Sequence, residues 1–279
     1  MRVIKTVSEM SDEAAGLRLA GKTVGFVPTM GYLHAGHLSL VKLARRENDV
    51  VVLSIFVNPT QFGQGEDLDR YPRDLPGDVD KCRKEDVNIV FAPEADDIYP
   101  DGFSTSVNVE GVSERLCGAV RPGHFRGVAT VVAKLFNIVK PHRAYFGQKD
   151  HQQTMVVRRM ARDLDIGTDI IVGPTVREPD GLAMSSRNAY LSPDDRMAAV
   201  QIYRALASAR SLRQSGETRA DVLLSKVRES LRNEPAIKAE YIELVDPEKL
   251  TPLSSAGEKA LLALAVRIGK TRLIDNMFI

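Results

Sequence analysis

Tryptophan is absent from this 279-residue sequence, and cysteine occurs only twice, as Cys82 and Cys117. A small secreted domain held by disulfides would carry more cysteines, so we expect two free thiols in a reducing cytoplasm. An excess of charge of either sign is also missing, since 38 basic residues stand against 37 acidic ones and the formal net charge is +1. This balance gives no general attraction to nucleic acid or to anionic membranes.

Long apolar runs are lacking as well. No segment reaches the roughly 20 apolar residues that a membrane-spanning helix requires. The first residues include Glu9, Asp12 and Glu13, where a signal peptide would be basic and then apolar. We therefore expect a cytoplasmic protein whose partners are small molecules, with no nucleic-acid or membrane partner.

Short apolar runs alternate with helical patterns over the first two thirds of the sequence. The predicted strands cover residues 24–28, 50–57, 88–91, 144–146 and 169–172, and the predicted helices cover 8–20, 36–48, 78–86, 128–139 and 152–164. Such alternation predicts a parallel sheet with helices on both faces, which is an α/β fold.

The pattern changes after about residue 190. Two helical stretches, 194–214 and 220–233, precede strand-like segments at 239–245, 261–268 and 271–275, and the Gly269-Lys270 pair predicts a hairpin between the last two. We therefore divide the chain into a parallel-sheet domain, residues 1–176, and a smaller α+β C-terminal domain, residues 177–279.

Two histidines, His34 and His37, stand where the strand predicted at 24–28 passes into a helix. A helix N-terminus suits a phosphate, and histidines there can donate to the same group. Histidines in isolation are more often structural, but the strand–loop–helix setting favours function. Gly16–Thr23 fits the Walker-A pattern, yet it follows a helix and precedes a strand, which is the reverse of the order that this phosphate loop needs.

Polar residues follow two further predicted strands, where ligands of open α/β sheets bind. Asn58 and Gln61 come after the strand at 50–57, and their amides could hold a polar substrate. Lys149 and Asp150 come after the strand at 144–146, where the lysine could neutralise a phosphate. The alternatives are an ordinary Asn-Pro turn and, for Asp150, a helix cap.

Three other clusters remain open between two interpretations. The basic loop with Arg121 and His124 is either an anion site before a helix or a solvated loop. Met184–Arg187 is either a phosphate clamp or a polar linker between domains. Asp78, with Asp80, is either a metal ligand or part of a solvated helix face.

Taken together and in order, these stretches resemble the pantothenate synthetase (pantoate–β-alanine ligase) family of the HIGH-motif nucleotidyltransferase superfamily. His34-Ala35-Gly36-His37 resembles the HIGH signature, and Met184–Arg187 resembles a degenerate KMSKS signature. The stretches specific to the family are PTMGYLHAGH, FVNPTQF, RPGHFRGV, YFGQKDHQQ and MSSRN. The resemblance extends over essentially the whole chain.

The resemblance implies a Rossmann-like nucleotide-binding domain, a C-terminal lid domain and a homodimer. It also implies a two-step reaction, in which the carboxylate of pantoate attacks the α-phosphate of ATP and releases pyrophosphate. The amine of β-alanine then attacks the pantoyl adenylate, which gives pantothenate and AMP. ATP is thus a substrate, and Mg²⁺ accompanies it.

Site roles follow from the same resemblance. His34, His37 and Lys149 are the expected catalytic residues, with His37 as proton donor. The expected ATP-binding residues are Met30, Gly31, His34, His37, Gly147, Lys149, Asp150, Val176, Met184, Ser185, Ser186 and Arg187. The expected residues for pantoate and β-alanine are Asn58, Gln61, Arg121, His124 and Gln153. Asp78 is the one candidate protein ligand for Mg²⁺, although Pro76 and Gly77 depart from the usual helical stretch before it.

Two alternatives differ in class. One is another HIGH-motif nucleotidyltransferase, which either stops after nucleotidyl transfer or is an acyl-tRNA-type ligase. The acyl-tRNA type would need a tRNA-binding surface, which a net charge of +1 does not indicate. A non-catalytic module that senses ATP would need binding alone, without groups that neutralise a leaving group.

Overall fold

The computed structural model describes all residues from 1 to 279, which divide into two compact units. The first unit comprises Met1–Glu110, Arg121–Gln148 and Gln153–Pro174. The second comprises Gly111–Val120, Lys149–Gln152 and Thr175–Ile279. Two short segments from the earlier part of the chain therefore belong to the second unit. No helix is long and apolar enough to span a membrane.

A six-stranded, all-parallel sheet forms the first unit, in the order β1-β4-β3-β2-β5-β6. Its strands are β1 (Arg2–Ile4), β2 (Val24–Thr29), β3 (Val50–Ile55), β4 (Ile89–Phe91), β5 (Arg143–Gly147) and β6 (Asp169–Gly173). The central strands are nearly continuous apolar runs, as burial on both faces requires. The α/β prediction is confirmed, but β1 was missed because three residues at a sheet edge carry too little pattern.

Nine α-helices lie along the chain, numbered in order. They are α1 (Val7–Leu19), α2 (Ala35–Glu47), α3 (Leu75–Lys84), α4 (Ala95–Ile98), α5 (Cys117–Val120), α6 (His124–Val139), α7 (His151–Asp163), α8 (Pro193–Gln214) and α9 (Ala220–Arg232). Helix α2 packs on β2, β3 and β5, and α6 packs on α1 and β2. Leu40, Val41 and Leu53 lie in the core between α2 and the sheet.

Two helices begin three or more residues earlier than predicted because of their caps. Helix α3 starts at Leu75 rather than residue 78, since Asp74 accepts a hydrogen bond from the Gly77 amide and Pro76 sits in the first turn, where no amide donor is needed. Helix α6 starts at His124 rather than 128, after Gly123 in the left-handed region at φ 83°. Pro76 is therefore compatible with a helix that includes Asp78.

The second unit contains an antiparallel sheet in the order β7-β8-β9. Its strands are β7 (Ile237–Val245), β8 (Leu261–Ile268) and β9 (Thr271–Phe278). The predicted hairpin is confirmed, because Ile268 pairs with Thr271 across Gly269 at φ 55°. Helices α8 and α9 pack on each other and on this sheet, with Leu206, Leu223 and Leu264 fully buried.

Strand order locates the place for a ligand in the first unit. From β2 the chain proceeds to β3 and β4 on one side, and β5 and β6 lie on the other. The order thus reverses between β2 and β5, and ligands of open α/β sheets bind outside the carboxyl ends of the strands at such a switch point. The carboxyl end of β2 leads into residues 30–37, and that of β5 is Gly147.

Candidate active site

The turn that follows β2 has a backbone that few residues could adopt. Gly31 lies at φ 80°, and a Cβ there would be 2.9 Å from the Ile55 side chain and 3.1 Å from Asp78. Tyr32 is also left-handed, at φ 51°. The Thr29 hydroxyl accepts a hydrogen bond from the Gly31 amide at 3.1 Å. Glycine is therefore required where the chain reverses direction ahead of α2.

Asp78 holds this turn from α3. Its two carboxylate oxygens accept hydrogen bonds from the amides of Tyr32 and Leu33, at 2.6 and 2.7 Å, and its side chain is fully buried. Lys81 is its ion-pair partner at 3.5 Å. A magnesium role for Asp78 remains a prediction, and this geometry argues against it, because both oxygens already bind amides. Nor do the described residues include a group of three or more histidine, cysteine or acidic side chains able to hold a metal.

His34 and His37 form a reciprocal cap on α2. The Gly36 amide donates to His34 Nδ1 at 3.1 Å, and the His34 amide donates to His37 Nδ1 at 3.3 Å. The two rings lie 4.0 Å apart at an angle of 32°. Because each Nδ1 accepts a hydrogen bond, each neutral ring carries its proton on Nε2. The turn therefore presents two imidazole donors at a helix N-terminus, which is a favourable setting for an anion.

Asn58 organises the segment after β3, where Pro59–Gln61 forms a short 3₁₀ helix. It is 1% exposed and accepts a hydrogen bond from the Tyr99 hydroxyl at 2.8 Å. Its amide donates to Gln61 Oε1 at 3.1 Å and to the Gly127 carbonyl at 3.2 Å. The structure thus assigns Asn58 to holding Gln61 in place.

Gln61 connects several predicted site residues within the first unit. Its Nε2 donates to Met30 Sδ at 3.0 Å, which joins it to the turn after β2. Its carbonyl accepts hydrogen bonds from Arg121 Nη2 at 3.3 Å and from His124 Nδ1 at 2.7 Å. Both the side chain and the main chain of Gln61 are therefore restrained, and Arg121 and His124 converge on the same carbonyl oxygen.

Gly147 lies at the second strand end of the switch point, and Gln153 lies on the helix that follows it. Gly147 is the last residue of β5 and pairs with Gly173 of β6. Gln153 is the third residue of α7, which begins at His151. Both belong to the first unit.

Lys149 and Asp150 belong to the second unit and lie in a short 3₁₀ helix, Gln148–Asp150. Their side chains pair at 3.6 Å. The Asn276 amide on β9 donates to the Lys149 carbonyl at 2.9 Å. The neighbouring Asp275 is buried and forms an ion pair with Arg177, at 2.6 Å. Burial raises the pKa of Asp275, although the Arg177 hydrogen bond opposes this effect.

The MSSRN segment is also well ordered within the second unit. The Met184 amide donates to the Val176 carbonyl at 3.0 Å, and Arg177 pairs with Ala183 in a β-bridge, so the chain closes a tight loop. Ser185 then caps a 3₁₀ helix, Ser186–Tyr190, with its hydroxyl accepting the Arg187 amide at 3.3 Å. The Ser185 hydroxyl therefore fixes the start of this 3₁₀ helix.

Comparison with known proteins decides the family. The family model described as pantoate-beta-alanine ligase matches residues 2–278. The chain belongs to the pantoate-beta-alanine ligase family. It is 54% identical over 276 residues to a pantothenate synthetase of Thermotoga petrophila, and the match covers 99% of each chain.

Solved structures of the family have the same fold. A crystal structure of pantothenate synthetase from Thermus thermophilus superimposes with a TM-score of 0.95 at 51% identity, over 99% of both chains. A crystal structure of pantoate-beta-alanine ligase from Francisella tularensis, complexed with beta-gamma ATP and beta-alanine, has a TM-score of 0.83 at 39% identity. It covers 99% of this chain and 97% of that one. The predicted family, fold class and ligase activity are thus confirmed.

Some residues that hold the predicted site residues were not themselves predicted. Glu66, Tyr99 and Asn276 each hold a predicted site residue or its immediate partner. None lies in a motif with its own chemical signature, and each is far from its partner in the sequence. Only the fold of each unit brings each of them to its partner.

Proposed function

We propose that this chain condenses pantoate with β-alanine, using ATP and passing through a pantoyl adenylate. The observation that carries the proposal is the His34–His37 cap, which presents two Nε2 donors at the N-terminus of α2 beside the switch point between β2 and β5. Membership of the pantoate-beta-alanine ligase family and the complex of its Francisella member with beta-gamma ATP and beta-alanine support the same reaction.

The first step joins two negatively charged groups, and charge is therefore its main obstacle. The pantoate carboxylate attacks the α-phosphate of ATP, an oxygen–phosphorus bond forms, and pyrophosphate leaves. Donors placed ahead of the reaction stabilise the charge that develops on the phosphate oxygens, and fixed positions replace the search for a productive geometry. We assign His34 and His37 to these oxygens, with Met30 and Gly31 lining the ATP site. His37, the expected proton donor, directs its Nε2 proton toward a phosphate oxygen as a hydrogen bond.

The second step requires that water be kept from the adenylate. The β-alanine amine attacks the acyl carbon, an amide bond forms, and AMP leaves. We assign Gln61 to pantoate and β-alanine and Gln153 to pantoate. Asn58, Arg121 and His124 support the same pocket, since all three hold Gln61.

From the second unit, we assign the cations and hydroxyls to the phosphates. Lys149 is a point charge, Arg187 a planar donor, and Ser185 and Ser186 contribute hydroxyl donors. Asp150, together with Gly147 of the first unit, holds the nucleotide, and Val176 contacts adenine through its backbone. Mg²⁺, bound mainly by ATP oxygens and water, would supply further charge neutralisation.

The remaining assignments rest on the family resemblance. We propose that the segment Met184–Arg187 and the chain beyond residue 177 act as a lid over the reacting groups. We propose a homodimer on the same basis. We also propose a cytoplasmic location, which the two free cysteines support.

Pyrophosphate–ATP exchange tests the proposal directly. Labelled pyrophosphate should enter ATP only when pantoate is present, and added β-alanine should yield pantothenate and AMP. His37→Ala, His34→Ala and Lys149→Ala should each lower the exchange by about 10²-fold or more, with an unchanged fold by circular dichroism. Binding of ATP without exchange would instead indicate a sensor.

The two amide replacements of His37 separate its roles. Gln places a donor near the Nε2 position, whereas Asn keeps an acceptor near Nδ1 and provides no donor at Nε2. His37→Gln should therefore retain more exchange activity than His37→Asn. The opposite order would show that capping of α2, rather than donation to phosphate, is the contribution of His37.

A further inference from the structure

We propose that Glu66 is a positioning residue of the pantoate pocket, which acts on Gln61 through Arg121 and His124. It lies outside every motif described above. The inference rests on the proposed function, since it assigns Gln61 to pantoate. Glu66 adds an anion to a pocket whose substrate is itself an anion, so direct binding of pantoate by Glu66 is unfavourable.

The Glu66 carboxylate binds Arg121 in a two-pronged arrangement. Arg121 Nε donates to Oε1 at 2.6 Å and Nη2 donates to Oε2 at 2.5 Å. The arginine side chain is 12% exposed and the glutamate 21%. Paired hydrogen bonds of this kind fix the plane of the guanidinium, which a single bond does not. The Gly63 amide also donates to Oε2 at 3.1 Å, so the loop between Gly63 and Glu66 is closed on itself.

The fixed guanidinium then orients His124. Arg121 Nη1 lies 3.0 Å from His124 Nε2. Arginine can only donate, so Nε2 accepts, and the proton of the neutral imidazole must lie on Nδ1. That proton points at the Gln61 carbonyl, 2.7 Å away. The pair Glu66–Arg121 thus determines which nitrogen of His124 donates, and toward which atom.

Gln61 is the residue that this arrangement holds in place. Its carbonyl oxygen accepts from both Arg121 and His124, while its side-chain amide is held by Asn58 and Met30. Loss of the Glu66 charge would free the guanidinium to rotate, and both donors would leave the Gln61 carbonyl. A displacement of about 1 Å in a group that orients a substrate can cost up to about 10²-fold in rate.

Glu66 stays ionised at any pH at which the enzyme would be assayed. Burial raises the pKa of its carboxyl, but the hydrogen bond and charge of Arg121 bring the value down to about 2. The consequence of removing the charge should therefore be the same at every assay pH. A role as a proton donor or acceptor would instead change the pH profile.

Steady-state kinetics of Glu66→Gln tests the inference. We expect the KM for pantoate to rise by about tenfold or more and the KM for ATP to stay within about twofold of wild type. The ratio of variant to wild-type KM for pantoate should be constant from about pH 6 to 9. Glu85→Gln is the matched control, because Glu85 is equally exposed at 21% and pairs with Lys42 on the surface of the same unit. It should leave both KM values unchanged.

A double-mutant cycle with Arg121→Gln examines the pathway. If Glu66 acts through Arg121, the KM for pantoate of the double variant should be no higher than that of the poorer single variant. Additive increases in this KM would overturn the inference. An unchanged KM for pantoate in Glu66→Gln would overturn it as well. Glu66→Asp keeps the charge, so its KM for pantoate should lie between those of wild type and Glu66→Gln. It replaces the glutamine variant if that variant does not fold. Failure of wild-type exchange with pantoate would contradict the proposed function rather than this role of Glu66.

Discussion

Asp78 carries a charge that is fully buried, and the backbone amides of Tyr32 and Leu33 are its main partners. An ionised carboxylate in such a place is stable only when its lone pairs are occupied. The same two hydrogen bonds keep Tyr32 in its left-handed conformation and bring α2, with its two histidines, to the end of β2. We therefore ascribe to Asp78 the placing of the histidine cap.

Asp78→Asn separates this role from metal binding. The amide replaces one acceptor oxygen by a donor that faces a backbone N–H, which should cost about 1–3 kcal/mol in the free energy of unfolding. Urea unfolding followed by circular dichroism measures that loss. The Mg²⁺ concentration for half-maximal exchange should stay the same.

Asp80→Asn is the control, because Asp80 lies on the same helix but is exposed and pairs only with Arg83. It should change the unfolding free energy by no more than about 0.5 kcal/mol. If Asp78→Asn instead unfolds like wild type and requires more Mg²⁺, Asp78 is a metal ligand.

Close approach of helix α6 to the 3₁₀ helix at Pro59–Gln61 depends on one glycine. A Cβ at Gly127 would lie 2.2 Å from the Thr60 carbonyl oxygen and 2.7 Å from the Gln61 amide nitrogen. Both neighbours are backbone atoms, so they cannot rotate away as a side chain could. The identity of residue 127 therefore sets the distance between α6 and the Gln61 segment.

Gly127→Ala should accordingly destabilise the protein by about 1–3 kcal/mol, the usual cost of overpacking. It should also raise the KM for pantoate, since the 3₁₀ helix that carries Gln61 must move. The matched control is Gly16→Ala in α1, where a Cβ would meet nothing within 4 Å. That variant should gain about 0.5–1 kcal/mol. Equal effects of the two substitutions would show that α6 tolerates the extra methyl group.

For helices and strands, the sequence pattern is a good guide to their existence and a poor guide to where they begin and end. The apolar run at 50–57 predicted a strand that the structure places at Val50–Ile55. The starts of α3 and α6 were missed because Asp74 and Gly123 determine them through cap geometry. The spacing of apolar residues along the sequence does not reveal such caps. The three-residue strand β1 has no period at all.

Across the whole molecule, the motifs predicted from sequence were the easier part of the site. His34, His37 and Gln61 stand in local patterns that suggest their chemistry. Glu66 reaches Arg121 over 55 positions of the chain, and Asn276 reaches Lys149 over 127. Such contacts follow from the strand order and from the return of the C-terminal strand, neither of which a local pattern specifies. The supporting groups of a site are therefore visible only in the folded chain.

Acid stability is a property to which both units contribute. Five carboxyls have a pKa below the ordinary value: Asp49, Glu66, Asp180, Glu217 and Asp246. Hydrogen bonds from backbone amides or arginines are the main lowering causes, as Thr23 provides for Asp49 and Arg196 for Asp180. Asp275 is the exception, because burial raises its pKa above the ordinary value.

The sign of the pH dependence follows from proton uptake. A carboxyl whose pKa is lower in the folded state binds more protons in the unfolded state, so its contribution is complete above the unfolded pKa of about 4 and is lost as the pH falls through the folded value. We therefore expect the free energy of unfolding to fall steadily between about pH 5 and pH 3. Asp275 alone acts against these five carboxyls, and its opposing effect begins at higher pH because its pKa in the folded state is raised.

Urea unfolding at constant ionic strength, followed by circular dichroism at several pH values in that range, measures this loss. Hydrogen exchange should show reduced protection in each unit, because Asp49 and Glu66 lie in the first and the other three in the second. Glu66→Gln supplies the specific check, since its difference from wild type should shrink as the pH approaches about 2, where Glu66 itself becomes protonated. A flat or rising unfolding free energy between about pH 5 and pH 3 would contradict the expected sign.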